Sequence, residues 1–121
     1  MVRLDHMSLP VRDWESSRDW YRDNLGFEVE FEIPEYKTAA MRDTADLTIF
    51  LCEGDVVPCP SIAFTIQADD VETKYREVAA RGIDFVHAPM KVLWGYGAEL
   101  KDPEGYHLQL WDVLSMRERG G

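Results

Sequence analysis

The sequence predicts an α+β fold of two βαβββ modules, paired ferredoxin-like halves whose strands form a curved mixed sheet around a cleft with the helices outside. Three observations predict it. The chain opens on a strand, helix, strand pattern; the same pattern starts again near Ser61; and each copy closes with two further β-rich segments.

In the first copy, alternation from Leu4 gives way at Asp13 to helical spacing, with Trp14, Ser17, Tyr21 and Leu25 on one face. Asp13 is a suitable N-cap because its carboxylate can accept a hydrogen bond from an unpaired amide of the first turn. Gly26 can adopt the left-handed conformation that ends a helix, and Phe27 to Phe31 then reads as a strand. In the second copy, Ile62 to Ile66 reads as the strand, Asp70 as the cap, Val71, Tyr75 and Val78 as the buried face, Gly82 as the stop and Ile83 to Val86 as the next strand. Lys37 to Met41 with Leu47 to Leu51, and Trp94 to Leu100 with Tyr106 to Trp111, read as closing hairpins. The second is turned by Asp102-Pro103-Glu104-Gly105, where proline presets one dihedral and glycine accepts a positive one. Neither module alone covers both faces of its small sheet, so residues 1–121 read as one domain: module one about 1–54, linker 55–60, module two about 61–114 and a tail at 115–121.

Charge and composition narrow the function. A net charge of −10 repels phosphate backbones and anionic membranes, which argues against nucleic-acid and membrane partners. The same field concentrates a cationic ligand, although it also serves solubility. No apolar run is long enough to span a bilayer, and the N-terminus lacks a signal-peptide pattern, so a cytoplasmic location is expected. Cys52 and Cys59 lack a metal-binding or redox spacing and read as reduced thiols. Gly95-Tyr96-Gly97 precedes β pattern rather than a helix N-terminus, so it is no phosphate cradle.

The stretch Leu4-Asp5-His6-Met7-Ser8-Leu9-Pro10-Val11-Arg12-Asp13, followed by Trp20-Tyr21-Arg22-Asp23-Asn24-Leu25-Gly26-Phe27, resembles the opening of vicinal-oxygen-chelate proteins, the group of glyoxalases, bleomycin-resistance proteins and extradiol dioxygenases. Its counterpart runs from Trp94 through Asp102-Pro103-Glu104-Gly105 to Tyr106-His107-Leu108-Gln109-Leu110 and resembles the family's last hairpin. Val56-Val57-Pro58 is also similar to the connection between halves in the bleomycin-resistance branch.

The resemblance implies a divalent ion held by histidine and carboxylate, and the ligand positions are altered here. His6 stands at the first position. Ser61 of Ser61-Ile62-Ala63-Phe64 stands where the family has histidine, and Gln109 where it has glutamate. Phe50 falls at the remaining position through the internal repeat; a register two residues later would bring Cys52 there instead. A hydroxyl, a neutral amide and a phenyl ring make a poor shell, so no metal is expected; if one binds (Zn, Mn or Fe), His6 and Gln109 are its ligands.

The expected cleft residues are His6, Phe50, Ser61, Trp94, Tyr96, Glu99, His107, Gln109 and Trp111. His107, Gln109 and Trp111 alternate and share a face of the last strand. Glu99 is a candidate anchor for a cation or a base, and otherwise a solvated acid. Trp94 and Tyr96 either stack on a flat ligand or pack beneath a loop. No catalytic residue is identified. Two functions follow from the resemblance: metal-free binding of a small, cationic and aromatic molecule by a homodimer, or a metal-dependent lyase or dioxygenase with an altered ligand set.

Overall fold

In the computed structural model, which describes residues 2–57, 59 and 61–121, the chain divides into two units, Met1–Val57 and Pro58–Gly121. Pro58 and Pro60 of the expected linker, and with Pro58 the end of the Val56-Val57-Pro58 likeness, lie outside the described residues. The fold is α+β, with two four-stranded mixed sheets.

The first unit contains β1 (His6–Val11), α1 (Trp14–Leu25), β2 (Glu28–Ile33), a single 3-10 turn (Pro34–Tyr36), β3 (Thr38–Arg42) and β4 (Thr48–Glu53). Asp13 caps α1 as expected, accepting from the Glu15 amide at 3.1 Å and the Ser16 amide at 3.0 Å. Gly26 closes it at φ 73°, donating to the Arg22 carbonyl. Asp13→Ala should therefore cost about 1 kcal/mol of stability, read as a lower urea midpoint with an unchanged slope.

The strand order is β1-β4-β3-β2, with β1 parallel to β4 and the other pairs antiparallel. Cross-strand register assigns the faces. Leu9 lies opposite Leu51, which lies opposite Ala39, and Met41 lies opposite Ile49. These side chains are buried, as are Trp14 and Tyr21 of α1, and this apolar layer forms the core of the unit. Asn24 is the fourth buried residue of α1, while Leu25 is only half-buried.

The second unit repeats the plan with β5 (Ala63–Gln67), α2 (Val71–Ala80), β6 (Phe85–Val92), β7 (Gly95–Lys101) and β8 (His107–Trp111), in the order β5-β8-β7-β6. Val71 and Val78 of α2, Ala98 and Leu100 of β7, and Leu108 and Leu110 of β8 are its core; Tyr75 is half-buried against Phe85. The Asp102 turn forms as read, with Asp102 Oδ1 accepting from the Glu104 and Tyr106 amides, both at 2.9 Å, and Gly105 at φ 96°.

Three readings are corrected here. α2 ends at Ala80 with Arg81 as its C-cap, one position before Gly82. The strand expected at Ile83 to Val86 instead starts at Phe85, runs on to Val92 and tolerates Pro89, because β6 is a sheet edge where a missing ladder donor is cheap. The tail at 115–121 is largely helical: α3 (Val113–Arg119) is capped by Asp112 and packs on β7, with Met116 filling the space beside Gly95.

Candidate functional site

Each sheet has a second face, away from its helix, and the candidate residues are best located by the strand that carries them. In the first unit this face holds His6 and Ser8 of β1, Thr48, Phe50 and Cys52 of β4, and Thr38, Ala40 and Arg42 of β3. His6 stacks on Phe50, with ring centroids 4.0 Å apart and planes 15° from parallel. Its Nδ1 lies 2.8 Å from Asp5 Oδ2. Phe31 meets Phe50 edge-on at 5.5 Å, and the fully buried Ala40 stands between them in register. Both Phe50 and Cys52, the two alternatives for one family position, therefore point to the same face of β4, but only Phe50 touches His6.

In the second unit the corresponding face carries His107, Gln109 and Trp111 of β8, Glu99 of β7 and Thr65 of β5. Glu99 stands directly opposite Gln109, and its Oε2 lies 3.2 Å from His107 Nδ1. Both members of that pair are largely covered, with side chains 18% and 21% exposed, so their contact is little screened by water. Gln109 Oε1 accepts from Thr65 Oγ1 at 3.0 Å. The Trp94 ring lies over Gly97, occupying the space that a side chain there would need. His87 stands opposite Glu99 from β6, its Nδ1 2.8 Å from the Ala88 carbonyl oxygen.

The structure thus brings His6 to Phe50 in one unit, and Glu99, His107, Gln109, Trp111 and Trp94 to one face in the other. Tyr96 does not join them. It lies on the helix side of β7, where its hydroxyl donates to Glu72 Oε1 of α2 at 2.8 Å and accepts from Arg119 of α3 at 3.2 Å. Alternation along the strand separates it from Glu99, and the two helices claim its polar end. Ser61 is exposed and sits in the turn before β5; the β5 residue opposite Gln109 is Thr65. Sequence reasoning missed Phe31, Glu30, Thr65 and His87. Thr65 and His87 carry strand alternation as their only signal, and Glu30, which accepts from Thr48 Oγ1, shares the face of Phe31 because the pairing of β2 with β3 skips it, a bulge.

The donors at the implied metal positions do not fit a divalent ion. His6 has one nitrogen engaged by Asp5 and one ring face covered by Phe50, which offers no lone pair. Gln109 brings a neutral oxygen that already accepts a hydrogen bond, and the hydroxyl of Ser61 is a weak donor. Among the described residues no group of three or more His, Cys, Asp and Glu is placed to hold a metal ion.

Compared with known proteins, the chain matches the sequence model of the Glyoxalase/Bleomycin resistance protein/Dioxygenase superfamily over residues 3–110. No curated protein matches it. Among solved structures, TnmS3, an antibiotic binding protein from Streptomyces sp. CB03234, superposes with a TM-score of 0.78 at 24% identity, covering 93% of this chain and 96% of that one. Lactoylglutathione lyase from Agrobacterium tumefaciens gives a TM-score of 0.72 at 17% identity over 93% of this chain and 94% of the other. A glyoxalase/bleomycin resistance protein/dioxygenase from Nocardioides gives 0.75 at 16% identity over 93% and 83%. At these identities the likeness is one of fold, which binding proteins and enzymes share.

Proposed function

Because this chain belongs to the glyoxalase/bleomycin resistance protein/dioxygenase superfamily, we propose that it is a metal-free binding protein for a small, aromatic and cationic molecule, held on the helix-free face of a sheet. The observation that carries this reading is the stack of His6 on Phe50: at a position where the family resemblance implies a metal ligand, this chain has an apolar ring packed on the histidine itself. An aromatic pair of that kind recognises a flat ligand by stacking rather than by coordination. The helix-free face of the second unit has its own aromatic surface in Trp94 and Trp111 and its own carboxylate, Glu99. The net charge of −10 favours the approach of a cation. The likeness to an antibiotic binding protein supports the same reading.

Calorimetric titration with bleomycin-type glycopeptides and a panel of aromatic cations tests the proposal. Saturable, roughly stoichiometric binding by protein purified without chelators and free of metal is the expected result. A stoichiometric Zn, Mn or Fe content, with ligand binding lost on its removal, would replace it with the competing reading of a glyoxalase-like lyase or extradiol dioxygenase. We also propose that the protein is a homodimer; sedimentation at micromolar concentration reads this directly.

A further inference from the structure

Strand β2 departs from regular alternation at one place. Val29 pairs with Met41, on the helix side, but the next paired residue is Phe31, opposite Ala40 on the helix-free side. Glu30 is the extra residue of this bulge, and a bulge changes which face the following side chains address. Glu30 Oε2 accepts from Thr48 Oγ1 of β4 at 3.0 Å. Thr48 stands opposite His6 and two residues from Phe50, so this hydrogen bond draws the Glu30 carboxylate across the helix-free face. Two successive residues that alternation would send to opposite faces are thereby delivered to the same one.

The result is a carboxylate beside an aromatic corner. Phe31 is 42% exposed and stands at 90° to Phe50, whose own ring is backed by His6. The neighbouring acid Glu28 has a cationic partner, Arg42, at 3.4 Å, whereas Glu30 is bound to a neutral hydroxyl and, among the described residues, forms no ion pair. A ring face offers stacking and attraction for a cation, and an adjacent carboxylate supplies the countercharge.

Building on the binding function proposed above, we infer that Glu30 and Phe31 are the cation-recognising element of the first unit, selecting a planar aromatic molecule with an amino, amidino or similar cationic group on its ring. Phe31 stacks on the ring system and Glu30 pairs with the cationic substituent. The bulge is the device that sets the two at adjacent positions on one face.

The test uses the intact protein with 9-aminoacridine as the planar cation and acridine, at pH 8, as its neutral counterpart, with affinities measured by fluorescence titration. Wild type should bind the cation at least tenfold more tightly than the neutral ring. Glu30→Gln should abolish that preference, and Phe31→Leu should weaken binding of both probes by roughly tenfold. Glu28→Gln removes the same formal charge from a carboxylate already paired with Arg42, and should leave the preference within about twofold of wild type. Thermal melting confirms that each variant is folded; all three substituted side chains are exposed, so little loss is expected. Cation preference that survives in Glu30→Gln, or unchanged affinity for both probes in Phe31→Leu, would overturn the inference while leaving the binding function intact. Equal loss in Glu28→Gln and Glu30→Gln would overturn it in favour of general charge attraction. Failure of wild type to bind either probe would overturn the inference and count against the aromatic-cation reading beneath it.

Discussion

Asp112→Ala is expected to lower stability by about 3 kcal/mol, which for a domain of this size is a fall of roughly 10 °C in melting temperature. One carboxylate here serves two helices. Its Oδ1 accepts from the Ser115 amide at 2.6 Å, capping α3, and its Oδ2 accepts from the Ser115 hydroxyl at 2.9 Å and from the Val71 amide of α2 at 2.6 Å. Asp112 is 2% exposed and Val71 is fully buried, so the amide released by truncation finds no water to replace its partner. Each lost cap is worth about 1 kcal/mol, and the stranded buried donor adds a similar or larger amount.

The same residue has a pH signature. Burial opposes ionisation of Asp112, but hydrogen bonds from Ser115, Val71 and Leu114 outweigh it and hold the carboxyl below its ordinary value. A carboxyl with a depressed folded-state pKa contributes stability that is fully present above its unfolded value, about 3.9, and is lost as pH falls through the folded value. Wild type should therefore lose stability below about pH 4 more steeply than Asp112→Asn, with the two curves converging in acid. Parallel curves from urea titrations between pH 2 and 7 would show that Asp112 is not a linked group.

Gly97→Ala is expected to cost about 3 kcal/mol, although glycine to alanine in a strand is ordinarily neutral or favourable. A Cβ at Gly97 would collide with the Leu110 carbonyl oxygen of the neighbouring strand and with the Trp94 ring. The carbonyl belongs to backbone and cannot move without disturbing the β7–β8 ladder; the ring can swing out, but that exposes apolar surface and removes Trp94 from the face that carries Glu99. In a cycle with Trp94→Ala the double variant should be more stable than the sum of the single effects by about 1 kcal/mol, the part of the collision that belongs to the ring. A melting temperature for Gly97→Ala within 2 °C of wild type would show that the strands spread to admit the methyl group.

Much of the secondary structure was legible because its determinants are local. Asp13 and Gly26 bound α1, Asp70 opens α2, and the Asp102 turn joins β7 to β8, each through contacts within a few residues. The repeat of those signals also identified the two modules. Of the candidate residues, alternation correctly grouped His107, Gln109 and Trp111, and it separated them from Leu108 and Leu110, which are buried on the helix side.

Other features depended on partners distant in the chain. α3 could not be recognised because its short, charged sequence is held by partners distant in the chain, Met116 beside Gly95 and Arg119 on Tyr96. Tyr96 looked like ligand-facing surface until Glu72 and Arg119, from two helices, were seen to hold its hydroxyl on the other side. The parallel closure of each sheet, β1 on β4 and β5 on β8, likewise has no local signature. Sequence by itself determined the elements of the two repeats and the family, but not α3. The tertiary structure alone decided which side chains share a face where alternation breaks, because a one-residue shift such as the β2 bulge reverses the face and is set by hydrogen bonds to neighbouring strands rather than by the residues at the bulge.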